Sequence, residues 1–205
     1  MYTAPALWTE PKRWLAAARG IRKVAGGQRE VGFPGTFEGA IGMLVAADQV
    51  DVEGFGTLAE QQLDSYHTYM LPADRSPTAE QKVRAGAERA EASQRAALGL
   101  PVTGPLPGGA FTRTTMIGFK PVETSPTLVT AYVLSAVTVK AGEMEPEQTV
   151  YTVGILAAVW QDGDWRLSAQ ATKAAMERNS QKPPIAAPGD AAFNTAGWTA
   201  IRQAA

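Results

Sequence analysis

The sequence contains no cysteine. That excludes disulfides, thiolate nucleophiles and thiolate metal sites together. It leaves the compartment open, because a cysteine-free chain suits either side of a membrane. Histidine is almost absent too: His67 is the single one, so a site built from several histidines would have to pool ligands from several chains. Charge of one sign is missing, with Lys+Arg 19 against Asp+Glu 20 and a net charge of −1. Nothing therefore draws the whole molecule toward nucleic acid, and no direct nucleic-acid contact is expected. No apolar run approaches the ~20 residues that span a bilayer. Leu15 to Ala18 is too short for the apolar core of a signal peptide. Any anchor or export signal is expected outside this sequence or on a partner. There is no P-loop, dinucleotide fingerprint, triad spacing or metal-binding histidine pair, so no cofactor and no metal is expected.

What is present is a chain of 205 residues, 45% hydrophobic and 19% charged. It is long enough for one domain with a core, plus tails. Residues 1–32 read as a basic N-terminal arm. Lys12, Arg13, Arg19, Arg22, Lys23 and Arg29 oppose only Glu10 and Glu30. The run KRWLAAARGIRKV can form a short helix. The arm is either a solvated, loosely docked segment or one that lies near anionic lipid or an acidic partner.

Residues 33–172 read as the folded domain. Phe33-Pro34-Gly35 is a turn, and Thr36 can cap a helix through FEGAIGMLVAADQ. Gly39 and Gly42 are poor helix formers, and with the small Ala40 between them they make sense if this helix packs closely on something such as a sheet. Thr57-Leu58-Ala59-Glu60 is a capping box, and the helix it starts carries Leu63, Tyr66 and Met70 on one face. Ser76-Pro77 starts a third helix that ends at Gly99, with Ala87, Ala90 and Ala97 on its buried side. After PVTGPLPGG the period becomes two. Strands are expected over 110–119, 127–140, 149–160 and 165–172, antiparallel because no helix-length connection separates them. In the last, Trp165, Leu167, Ala169 and Ala171 alternate with polar residues. The expected fold is α+β, with N-terminal helices packed on one face of a curved four-stranded antiparallel sheet. Residues 173–205 read as a polar, Pro-rich C-terminal tail, closing on a segment able to dock through Phe193, Trp198 and Ile201.

Between Trp160 and Trp165 stand Gln161, Asp162, Gly163 and Asp164. Asp-Gly is a strong hairpin signal, and the strands bring Trp160 and Trp165 together as a cross-strand pair. Helices followed by a meander whose last hairpin reads W-x-D-G-x-W-R-(apolar) resemble the NTF2-like superfamily, which implies a cone-shaped α+β domain. Residues 33–40 (FPGTFEGA), Tyr151 to Gly154 with the following WQDGDWRL, and Ala196-Gly197-Trp198 are similar to actinobacterial proteins of conjugative elements, of VirB8/TcpC type. That resemblance implies a scaffold in a conjugative, type IV secretion-like apparatus outside the membrane. It implies contacts with other transfer-apparatus proteins and a homo-oligomer, and no chemistry of its own. Such proteins usually carry an N-terminal transmembrane helix, which is absent here.

NTF2-like cones also include enzymes and ligand-binding proteins, so an acid–base pair must be sought. The candidates are Asp64, Tyr66 and His67, with Tyr69 beside them. Tyr66 and His67 lie about 100° apart on their helix, so one of them at most faces inward. Asp162, Gly163 and Asp164 are read as structural turn residues at a hairpin tip, where the desolvation that tunes a catalyst is least available. Trp160, Trp165 and Trp198 are read as packing residues. Trp8 and Trp14, with Trp198, are docking anchors rather than a stacking platform for nucleic acid. Glu143, Glu145 and Glu147 surround Met144 in a loop that is either a solvated hairpin end or a contact for a basic partner, such as another copy's arm.

Overall fold

The computed structural model describes residues 5–24, 27–179 and 181–203, with Gln203 described by its backbone alone. The parts of the arm at 1–4 and 25–26, and of the tail at 180 and 204–205, lie outside the described residues. In chain order the elements begin with strands β1 (Trp14–Ala17), β2 (Arg22–Lys23) and β3 (Glu30–Val31), then helix α1 (Phe37–Asp48) and strand β4 (Val50–Glu53). Helix α2 (Leu58–Tyr69), a 3-10 turn (Pro72–Asp74) and helix α3 (Pro77–Ala97) follow. The long strands are β5 (Phe111–Thr124), β6 (Leu128–Lys140) and β7 (Gln148–Gln161), and β8 (Asp164–Leu167) closes the hairpin. Helices α4 (Ala169–Arg178) and α5 (Ala191–Thr195) lead to β9 (Thr199–Gln203).

The helix starts obey local chemistry. Thr36 Oγ1 accepts from Gly39 N, Thr57 and Glu60 complete a capping box, and Ser76 Oγ accepts from Ala79 N ahead of Pro77. Gly99, at φ +67°, takes the left-handed conformation just past α3. The glycines of α1 have a steric reason. A Cβ on Gly42 would overlap the Ala18 carbonyl at the end of β1, and one on Gly39 would overlap the Pro34 carbonyl.

The expected four-stranded antiparallel sheet is wrong. The sheet has seven strands in mixed orientation, curled as a half-barrel. Its order is β1-β9-β5-β6-β7-β8, and β4 pairs with the beginning of β5. The mixed character comes from β1, which runs parallel to β9 with Leu15 opposite Ile201. The run expected as an arm helix is therefore partly a strand: Trp14, Leu15, Ala16 and Ala17 alternate between exposed and more buried positions. The edge of β9, formed far away in sequence, supplies backbone partners that a helix would have found locally. Strand β4 was missed because its Val-Asp-Val-Glu alternation is short, yet Val50 and Val52 are each 3% exposed. The fourth expected strand stops at Leu167. Ser168 caps α4 there, accepting from Ala171 N. Alanines at alternate positions fit a strand face and a helix equally well, and the cap decides.

The helices do not share one face. Helix α1 fills the first face with Ile41, Met43 and Leu44 against Met116, Phe119, Val129, Ala131 and Val133. The intervening residues Tyr132 and Leu134 point the other way and pack with Ala175 of α4, Phe193 of α5 and Trp198. Both faces of β6 are thus apolar, and a sheet of that pattern needs cover on both sides. A third cluster ties Val50 and Val52 to Leu58, Ala59 and Ala87. Of the alanines expected to face inward on α3, Ala87 is buried, whereas Ala90 and Ala97 are exposed. The buried side of α3 is completed instead by Arg95, which pairs with Glu91 at 2.9 Å.

Candidate functional site

The hairpin and the FPGT turn, far apart in sequence, form one structural unit. Asp162 and Gly163 hold φ of +53° and +78°, the two left-handed positions of a tight hairpin turn. Asp162 is exposed. Asp164 is not a tip residue. It opens β8, is 3% exposed, and its carboxylate accepts from Gly32 N, Phe33 N and its neighbour Trp165 N at 2.9, 2.9 and 3.0 Å. Arg166 stands 3.6 Å from it. Beside this clasp the Trp165 indole donates to the Pro34 carbonyl at 2.9 Å. Trp160 packs edge-on against Trp165, ring centroids 5.4 Å apart, and lies over Gly35. A carboxylate surrounded by amide donors fastens the segment before α1 to the last hairpin. Trp198, 1% exposed, donates to the Pro184 carbonyl and anchors the tail on the opposite face.

Two clefts flank the β2–β3 hairpin and share Lys23 and Asp64. The first has a volume of about 540 Å³ and lies between the arm, α1 and α2. Its centre is Arg29, whose guanidinium donates to Asp64 Oδ2 (2.8 Å), the Ala46 carbonyl (2.9 Å), the Gln49 carbonyl (3.3 Å) and the Gln61 carbonyl (2.8 Å). The Ala46 and Gln49 carbonyls belong to the end of α1, where a cation also opposes the helix dipole. Glu30 is held by Arg19 and by Gly20 N. The Tyr69 hydroxyl donates to the Glu30 carbonyl at 2.8 Å. Burial, partly offset by Arg29, pushes the Tyr69 phenol up to about 12. It keeps its proton at any ordinary pH. The second cleft, about 630 Å³, is lined by Arg22, Lys23, Arg75 and Arg166, with His67, Asp64 and Asp162.

The sequence candidates are dispersed. Asp64 lines both clefts and is committed to Arg29. His67 lines the second cleft, half-exposed, with Nε2 3.7 Å from Glu80. Tyr66 is 5% exposed and lines neither cleft, its hydroxyl accepting from Ser76 N at the start of α3. Trp14 lies under Arg202, and Trp8 under the backbone of Gly189. Sequence reasoning misses Arg29 as a buried clamp, because in the sequence it is one of six arm cations and nothing marks it from the rest. It also misses Asp48, whose carboxylate accepts from Ser135 Oγ at 2.7 Å. Burial raises the Asp48 acid above its usual range, and the Ser135 bond opposes that only in part. No sequence signal marks either one, since both depend on contacts between distant elements. Among the described residues no cluster of His, Asp and Glu could hold a metal ion, and no helix is long and apolar enough to cross a membrane.

The family described as a domain of unknown function (DUF8175) matches residues 63–187, more than half of the chain. No curated protein and no solved structure matches it.

Proposed function

We propose a scaffold function for this chain, which belongs to the DUF8175 family, a domain of unknown function that by itself points to no role. In this reading it is a non-enzymatic assembly component of a conjugative, type IV secretion-like DNA-transfer apparatus, acting through contacts with other transfer-apparatus proteins and with its own copies. The observation that carries the reading is how the polar groups of the first cleft are used. Arg29, Asp64, Glu30 and Tyr69 are bonded to one another or to backbone. A reacting group needs a free lone pair or an exchangeable proton aimed at substrate; the Arg29 guanidinium, the Asp64 oxygen that accepts from it and the Tyr69 proton are engaged in holding the arm to α1 and α2. The resemblance of residues 33–40, 151–154, 160–167 and 196–198 to conjugative-element proteins supplies the machine.

One observation favours a ligand-binding alternative: Asp64 and His67 line the same cleft of about 630 Å³. The two readings separate in one experiment. Deleting the gene from a host that carries the transfer element should lower transfer frequency, and the wild-type gene should restore it. His67→Gln and Tyr66→Phe should restore it equally well. Unchanged transfer in the deletion strain would remove the conjugation reading. A folded His67→Gln protein that fails to complement would favour chemistry or a ligand in the cleft.

A further inference from the structure

We propose that copies of this chain associate head to tail, the acidic tip between β6 and β7 of one copy seating in the basic second cleft of the next. The inference rests on the scaffold reading above and names the contact. The tip is Glu143, Met144, Glu145, Pro146 and Glu147, all exposed, with Met144 93% exposed. It is not a loose end: Glu143 N donates to the Gly108 carbonyl and Glu145 N to the Gly142 carbonyl. Among the described residues none of its three glutamates forms an ion pair. The cleft is its complement. Arg22, Lys23 and Arg75 rim it, exposed and likewise outside those ion pairs, and Arg166 lies among them. Between them the lining offers Val24, Val31 and Pro72 as an apolar floor for the methionine.

The two features cannot meet within one molecule. The tip directly precedes β7, and Gln161 and Asp162 of the cleft stand at the far end of the same strand. Its 14 residues at ~3.3 Å each separate them by about 45 Å. Acidic and basic ends therefore sit at opposite poles of a stiff element. A contact between unlike patches is heterologous, so it generates a ring if the rotation closes and a filament if it does not. Exposed charges make each pair weak and sensitive to salt. The association is expected to form at high protein concentration or where other components crowd the copies together.

The test is a charge exchange read by sedimentation velocity over a concentration series at low and high salt. Wild-type protein should self-associate at low salt and dissociate at least several-fold more at about 0.5 M salt. E143K/E145K/E147K should weaken association at least tenfold, because a basic tip meets a basic cleft. R22E/K23E/R75E should do the same with the signs reversed. Mixing the two variants should restore association, since each then offers the partner the other lacks. Circular dichroism should show both variants folded, as all six positions are on the surface. A wild-type protein that stays monomeric at every concentration overturns the proposal, as does a mixture that fails to associate. Binding to phosphatidylglycerol vesicles that R22E/K23E/R75E abolishes, without self-association, assigns the cleft to a lipid surface instead and equally overturns it. In either case a deletion strain whose transfer frequency is lowered and then restored by the wild-type gene leaves the scaffold reading standing and removes this contact alone.

Discussion

Two aspartates separated by one glycine do opposite jobs. Asp162 contributes a backbone conformation, and its side chain is in water. Asp164 contributes a carboxylate that three backbone amides approach. Asparagine tolerates the left-handed conformation as well as aspartate does, so Asp162→Asn should change stability by less than about 0.5 kcal/mol. Asp164→Asn turns one acceptor oxygen into a donor facing an amide, and it leaves a buried N–H without its partner. The cost should be about 2–4 kcal/mol, measured by urea denaturation of the two variants side by side. The dipeptide signal for a hairpin was legible in the sequence. Which aspartate would be buried was not, because the amides that bury it lie 131 and 132 positions away. Asp48 offers a pH test of the same kind. Its acid is raised in the folded state, so between its unfolded value of 3.8 and the higher folded value the native protein holds a proton that the unfolded chain has lost. Stability from this group is full below the unfolded value and falls as pH rises through the folded one. Asp48→Asn removes the charge and keeps an oxygen for Ser135. It should raise the denaturation midpoint at pH 7, and the advantage should close as pH falls toward 4.

At the scale of elements, glycine in a helix is either a liability or a requirement, and its neighbours decide. Gly42 of α1 lies against the Ala18 carbonyl, with no room for a methyl group. Gly86, inside α3, has nothing within 4 Å of where a Cβ would sit. Gly86→Ala should therefore stabilise the protein by about 0.5–1 kcal/mol, through helix propensity and a less flexible unfolded chain. Gly42→Ala gains the same propensity, yet must push β1 away from α1; it should destabilise by about 1–3 kcal/mol. Thermal denaturation of both variants decides, and a stabilising Gly42→Ala would contradict the close packing. The sequence predicted that α1 approaches something closely, because three small residues, Gly39, Ala40 and Gly42, fall within four positions. It did not name the partner. The caps of α1, α2 and α3 were legible because a cap is a contact over three residues. Strands β1 and β9 were not, since each is short and gains its partners across almost the whole length of the chain.

For the molecule as a whole, the local signals carry the α+β class and the three long strands, while the closure of the sheet depends on its ends. Residues 14–17 from the arm and 199–203 from the tail enter the sheet beside each other, and β9 then joins β5 through Gly118 and Phe119. The family match, residues 63–187, begins inside α2 and stops before α5 and β9. It therefore leaves out α1, whose Ile41, Met43 and Leu44 are all 0% exposed, and Phe193 and Trp198 from the opposite face. Removing these five side chains from both faces of the sheet costs about 1.5–3 kcal/mol each, a sum of roughly 8–15 kcal/mol that equals the whole stability of a typical domain. The fragment 63–187 should accordingly lack a cooperative unfolding transition, whereas the full chain should show a single one. Calorimetry on the two, with amide-proton dispersion by NMR as a second readout, separates the outcomes. A fragment that melts cooperatively would mean that the sheet holds together without α1, and that both ends of the chain are additions to an independent core. A melted fragment means that the unit of folding is wider than the unit of sequence similarity, because the apolar faces of β5 and β6 are covered by segments the match does not include.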